Sequence, residues 1–211
     1  MTTSPVVPAD STSQPGKLAD TVPGVHELIR SRWSPRAFSN KEVSKEDLVV
    51  MLEAARWAAS CFNEQPWRFL VAPKSDPAAF AKFLNLLVPA NQVWAKEASV
   101  LLITAAKRMF SHQETANHYG MHDTGAALAN LFLQATALGL QGHGMGGFDR
   151  ERARQDLSIP DDYEVAAAVA LGYPGSPDSL PEKYRDMELA PRKRKPLGQI
   201  AFGSAWDSLL F

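Results

Sequence analysis

Cysteine is nearly missing from this chain: Cys61 stands alone among 211 residues. An intramolecular disulfide is thereby excluded, and a cytoplasmic setting is the natural expectation. Net charge is scarce as well. Twenty-two lysines and arginines face 23 aspartates and glutamates, which leaves −1 with histidine neutral. A general binder of nucleic acid or membrane surfaces carries a basic excess, so neither partner is expected. No apolar run reaches the ~18 residues of a membrane span. The first residues lack the basic-then-apolar order of a signal peptide. Histidines are few and scattered. His118 and His122, four apart, offer one edge of a metal site, but no third ligand follows at a typical spacing, and no metal is expected.

What is present is an ordinary globular composition, 45% hydrophobic and 21% charged. A domain of this length hides roughly 70% of its unfolded surface. Residues 1–20 are rich in Ser, Thr, Pro and Asp and read as a disordered or draped arm, which leaves 21–211 as a single domain. A short helix begins over 25–29. "SKEDLVVMLEAARWAA" reads as a helix: Ser44 and Asp47 resemble a capping box, and Leu48, Leu52, Ala55 and Ala59 recur at helical spacing. Residues 76–88 and "DRERARQDL" read as further helices. "RFLVA" (68–72), "ASVLLITAA" (98–106) and "EVAAAVALG" (164–172) read as strands. From Asp123 to Leu140 a helix is apolar on nearly every face, which calls for burial on all sides and points to a subunit interface. Beyond Tyr173, prolines and charges dominate. Without regular βαβ spacing the class is α+β.

Four stretches are able to carry chemistry. "RSRWSPRAF" (30–38) packs Arg30, Arg32 and Arg36 around a serine, as an anion-binding strand start or as a solvated turn. "SCFNEQPWRF" (60–69) carries the amides of Asn63 and Gln65, which both donate and accept and so suit a heterocycle; Trp67 adds a flat apolar face. The plain alternative is a polar helix-to-strand loop. "GMGGF" (144–148) lets a backbone approach a ligand closely, or is merely a flexible loop; it is not a G-x-G-x-x-G opening a Rossmann helix. In "APRKRKPLGQI" (190–200), extended geometry would put Arg192 and Arg194 on one face and Lys193 and Lys195 on the other. Arginine's planar fork suits a phosphate; a solvated basic run is the alternative.

Taken in order, Arg-x-Ser-x-Arg, Ser-x-x-Asn-x-Gln-Pro-Trp, an Asp-x-Gly-Ala-Ala helix, a Gly-Gly-Phe loop and a late Arg-x-Arg-x-Pro-Leu closely resemble the FMN-dependent nitroreductase family. The resemblance covers nearly everything after the first twenty residues. It implies a central, mostly antiparallel sheet flanked by helices, and a homodimer with a swapped C-terminal extension and two FMN sites at the interface. It implies that Arg32, Trp33, Ser34 and Arg36 form the first flavin motif, with Arg32 and Ser34 at the phosphate and ribityl end and Arg36 at the pyrimidine edge. Trp33 stands where arginine or histidine is usual. Ser60, Asn63 and Gln65 match the segment that approaches the flavin from the same chain or the partner. Gly146 and Gly147 match the loop whose backbone faces flavin N5; many relatives carry glutamate at Gly146. Arg192 and Arg194 match a late phosphate clamp.

The implied activity is hydride transfer from NADH or NADPH through flavin N5 to a small electron-poor acceptor, a nitroaromatic, quinone or activated alkene, by a ping-pong scheme. Three alternatives stand beside it. One is a same-fold flavoenzyme that oxidises, desaturates, dehalogenates or cleaves one metabolite, with 107–121 as its candidate lid. The others are a non-catalytic flavin-binding module and a nucleic-acid binder using "RKRK".

Overall fold

The computed structural model describes residues 17–113 and 115–210. The expected N-terminal arm lies outside the described residues up to position 16. Along the chain come α1 (Glu27–Ser31), α2 (Lys45–Arg56), β1 (Trp67–Pro73), α3 (Pro77–Leu84), α4 (Pro89–Ala95), β2 (Val100–Lys107), α5 (Gly120–Ala137), β3 (Gln141–Met145), α6 (Arg150–Asp156), β4 (Tyr163–Gly172) and α7 (Glu182–Leu189).

The strands form one sheet in the order β1-β2-β4-β3, antiparallel throughout. Alternation along the strands divides the core in two. Leu101, Ile103 and Ala105 of β2 join Phe80, Phe83, Trp94, Ala95 and Ala153 on the face covered by α3, α4 and α6. Val100 and Leu102 join Met51, Ala55, Ala127, Leu131 and Ala135 on the face covered by α2 and α5. The register shifts between Thr104 and Ala105. There the Thr104 hydroxyl donates to the Ala167 carbonyl at 3.2 Å and accepts the Ala167 N–H at 3.1 Å, so both backbone groups of Ala167 stay engaged. The helix over 45–56 starts where its cap requires: the Ser44 hydroxyl accepts the Asp47 N–H at 3.0 Å.

Several expectations need correction. The glycine-rich stretch is not a loop from its start, because Gln141–Met145 is an edge strand paired with β4. Glycine's low strand propensity hid it. Gly142 is required there, since a Cβ would overlap the Phe132 ring. The helix expected over 76–88 stops at Leu84; Leu87 is bridged to Phe148, and a separate helix, α4, opens only at Pro89. "RSRWSPRAF" is not a strand start; its ladder contact is a lone bridge from Phe38 to Pro174. The all-round apolar helix begins earlier, at Gly120, and buries Ala127, Leu131 and Ala135 in its own chain's core. That side of the helix therefore needs no subunit interface to bury it. The candidate lid holds the end of β2, a bridge from Met109 to Ala116 and the first residues of α5. The Pro- and charge-rich tail contains α7.

Candidate functional site

The stretch Ser31–Phe38 runs beside the edge strand β3 and is tied to it side chain by side chain. Gln141 grips its first half: Oε1 accepts the Trp33 N–H at 3.1 Å, and Nε2 donates to the Ser31 carbonyl at 3.3 Å. Two residues on, His143 Nδ1 lies 2.8 Å from the Pro35 carbonyl. A carbonyl only accepts, so Nδ1 carries the proton and Nε2 is the bare acceptor of the neutral ring. Burial holds this imidazole down to about 4, against the pull of the Pro35 hydrogen bond and helped by the charges of Arg36 and Arg32. The ring lies 4.6 Å from Trp94, over which the Arg36 guanidinium sits at 6.0 Å. Neither Gln141 nor His143 carried any local signal in the sequence.

Trp33 is buried, with Lys17 Nζ 5.1 Å from its ring. Its side chain supports the loop from beneath and offers no face to a ligand. Arg32 does look outward in part; its Nη1 donates to the Ser34 hydroxyl at 3.3 Å. Burial and the neighbouring guanidiniums of Arg192 and Arg194 push the Arg32 pKa below its ordinary value. Residues some 160 positions apart in the sequence therefore meet. Among the described residues no carboxylate pairs with any of these three arginines.

The expected alternation in "RKRK" holds only in part. Arg192 is half-buried, and its Nη1 donates to the carbonyls of Lys17 at 2.8 Å and Arg30 at 2.6 Å. It straps the N-terminal segment as well as adding charge. Arg194 is exposed, and so are Lys193 and Lys195.

Ser60, Asn63 and Gln65 form a tight loop. The Ser60 hydroxyl accepts the Gln65 N–H at 3.0 Å, so that oxygen is engaged within the loop. Phe62, Asn63 and Gln65 all occupy the left-handed region, with φ of 51°, 56° and 51°. Such residues cost on the order of 1–3 kcal/mol each and cluster at functional sites. Two acids hold the strain in place. Asp123, buried at the start of α5, accepts the Cys61 N–H at 2.9 Å. Glu64 accepts the Ser111 N–H at 2.9 Å and its hydroxyl at 2.7 Å. Trp67 is buried and presents no open face.

The structure does not bring this loop to the arginines within one chain. Gln141 pairs with Gly172, and Leu171 with Val100, so the arginine cluster lies at that end of the sheet. The amide loop precedes Trp67, which pairs with Ala106 at the other end. The 18 residues of α5 span the gap, about 27 Å.

Gly146 and Gly147 come directly after β3. A Cβ at Gly146 would meet nothing within 4 Å, whereas at Gly147 it would lie 2.8 Å from Asn91 Nδ2. Gly146 thus leaves its backbone open to a flat group. Three guanidiniums with no carboxylate partner among the described residues, a hydroxyl, a loop beside an edge strand and a bare glycine backbone at that strand's far end suit a long ligand with a phosphate at one end. The residues present fit FMN.

The model of the Nitroreductase family matches residues 29–173. The chain belongs to the nitroreductase family. A crystal structure of an oxidoreductase containing FMN is 39% identical, with a TM-score of 0.85 over 90% of this chain and 96% of its own. The NADH dehydrogenase of Thermus thermophilus is 30% identical over 68% of this chain and 83% of its own. The major NAD(P)H-flavin oxidoreductase of Aliivibrio fischeri is 36% identical over 44% of each. In this member of the nitroreductase family, α7, Arg192 and Arg194 all lie beyond residue 173, the last that the family model matches.

Proposed function

We propose that this chain is an FMN-dependent oxidoreductase that takes hydride from NADH or NADPH and delivers it to a small electron-poor acceptor, a nitroaromatic, quinone or activated alkene. The observation that carries this reading is the meeting of Arg32, Arg192 and Arg194 with no carboxylate paired to them among the described residues. An FMN phosphate carries nearly two negative charges and would relieve their repulsion. The cofactor, when bound, supplies the two-electron redox chemistry.

Around it, Arg32, Ser34 and Arg194 hold the phosphate end, with Arg192 adding charge from its strapped position. Arg36 stands further along β3, toward the ring. Gly146 and Gly147 offer backbone beside the reacting edge. The site is completed by a second copy of the chain, whose Ser60–Gln65 loop brings Asn63 and Gln65 to orient the heterocycle. Residues 21–211 act as one FMN-binding domain, and the outward side of α5 provides the homodimer contact. Nucleotide and acceptor occupy the same place in turn, which makes the kinetics ping-pong. No helix among the described residues is long and apolar enough to cross a membrane.

The test is direct. The purified protein is expected to be yellow, and its released cofactor to run as FMN on chromatography rather than FAD. Stopped-flow mixing with each nucleotide, then with a panel of acceptors, identifies donor and oxidant. A colourless protein that also rejects added FMN would sink the proposal. Failure of both nucleotides to bleach bound FMN would leave only a binding module.

A further inference from the structure

The stretch Ser31–Ala37 has a second anchor, on the opposite side from β3 and outside the residues that the family model matches. Glu188, on α7, is 1% exposed. Its Oε1 accepts the N–H groups of Arg36 and Ala37, each at 3.0 Å, and its Oε2 lies 2.9 Å from the Arg36 nitrogen. A carboxylate this deep is costly unless its lone pairs are filled. Two successive backbone amides meet it and the charges of Arg36 and Lys17 stand nearby, while burial still holds its pKa above the ordinary carboxylate value. The surrounding segment is locked by the same residues that join the chain ends: Lys17 Nζ donates to the Ala190 carbonyl at 2.8 Å, and Arg192 grips the Lys17 and Arg30 carbonyls.

The loop is therefore held in two halves. Gln141 fixes Ser31 and Trp33, on either side of Arg32. Glu188 fixes the Arg36–Ala37 peptide, and so the direction in which Arg36 leaves the backbone. We propose that Glu188 is a positioning residue of the flavin site, through which α7 sets Arg36 against the ring half of the cofactor. The inference rests on the functional reading above. It adds a division of labour: Gln141 serves the phosphate half, and Glu188 the ring half.

Titration of FMN and of riboflavin separates the two halves, because riboflavin lacks the phosphate. Glu188→Ala is expected to weaken both flavins by the same factor, on the order of tenfold, and to shift the visible absorption band of bound FMN toward that of free FMN. Glu188→Gln keeps one acceptor oxygen and is expected to recover part of the affinity and of the spectrum. It also decides the matter by the same ratio should the Ala variant fail to fold. Gln141→Leu is the contrasting change, weakening FMN more than riboflavin. Unchanged flavin affinity and spectrum beside a lowered Tm would reduce Glu188 to a structural residue and overturn the proposal. A loss confined to FMN would overturn it too, by placing its effect at the phosphate. A wild-type chain that binds neither flavin would instead overturn the functional reading on which this inference rests.

Discussion

His143 and Pro35 are joined by a hydrogen bond of 2.8 Å that only a ring protonated on Nδ1 can donate. The imidazole stays neutral far below its ordinary range, at about 4, because it is buried and faces Arg36 and Arg32. The unfolded chain takes up a proton near 6.5, whereas the folded ring resists until about 4. Unfolded chains then bind more protons, so stability falls as the pH drops through this window. The loss from this residue is about 2 kcal/mol between pH 7 and pH 5. Urea unfolding at the two pH values, compared with His143→Gln, measures it. A variant with the same acid sensitivity as wild type would contradict the assignment.

The proposed phosphate clamp divides by residue. Arg32→Ala and Arg194→Ala are each expected to weaken FMN more than riboflavin, by about 10–100-fold for a charge-assisted contact of ~1.5–3 kcal/mol. Lys193→Ala is the control and is expected to change little. Arg192→Ala also removes bonds to the Lys17 and Arg30 carbonyls, so it lowers the Tm of the apoprotein as well. With FMN saturating, turnover of the Arg32 and Arg194 variants recovers. Flavin fluorescence titration and reductase rates at high FMN report both effects. Equal weakening of the two flavins by Arg194→Ala would remove it from the phosphate.

Opposite placement of the amide loop and the arginines predicts complementation between chains. Arg32→Ala and Gln65→Ala are each expected to impair both sites of their own homodimer. Mixed and allowed to exchange subunits, the two variants place both defects in one site of a heterodimer and neither in the other. Roughly a quarter of all sites regain wild-type affinity after random exchange. FMN titration before and after mixing reads this. No recovery despite demonstrated subunit exchange would mean that each chain builds its site alone.

The paired glycines differ in what they tolerate. Gly146→Ala has open space and is expected to leave the apoprotein's Tm unchanged while weakening flavin by about tenfold. Gly147→Ala would press on Asn91 Nδ2 and on Val88 Cγ2, 3.0 Å away. It would disturb the bond from Asn91 to the Gly147 carbonyl and cost on the order of 1 kcal/mol of stability. Thermal melts with and without FMN separate the two outcomes. Unaltered flavin affinity in Gly146→Ala would move the ring away from this backbone.

Much was legible from residue order alone. The buried strands β2 and β4, the capped helix α2, the α+β class and the family itself come from periodicity, local caps and the succession of short motifs, all of which are properties of neighbouring residues. Tertiary structure decided the rest. Glycine erased the strand signal of β3, whose place at the sheet edge comes from pairing with β4 and from room made for Phe132. Alternation separated Arg192 and Arg194 from the lysines in principle, yet the carbonyls of Lys17 and Arg30, remote in sequence, commit Arg192 to strapping. Nothing in the residues around Glu188 marks it; only the packing of α7 against the loop makes it a buried acceptor. The amide loop and the arginines, read together as one site, stand at opposite ends of α5. Sequence motifs carry chemical identity, whereas distance between them is set by how helices and strands pack, and no local pattern encodes it.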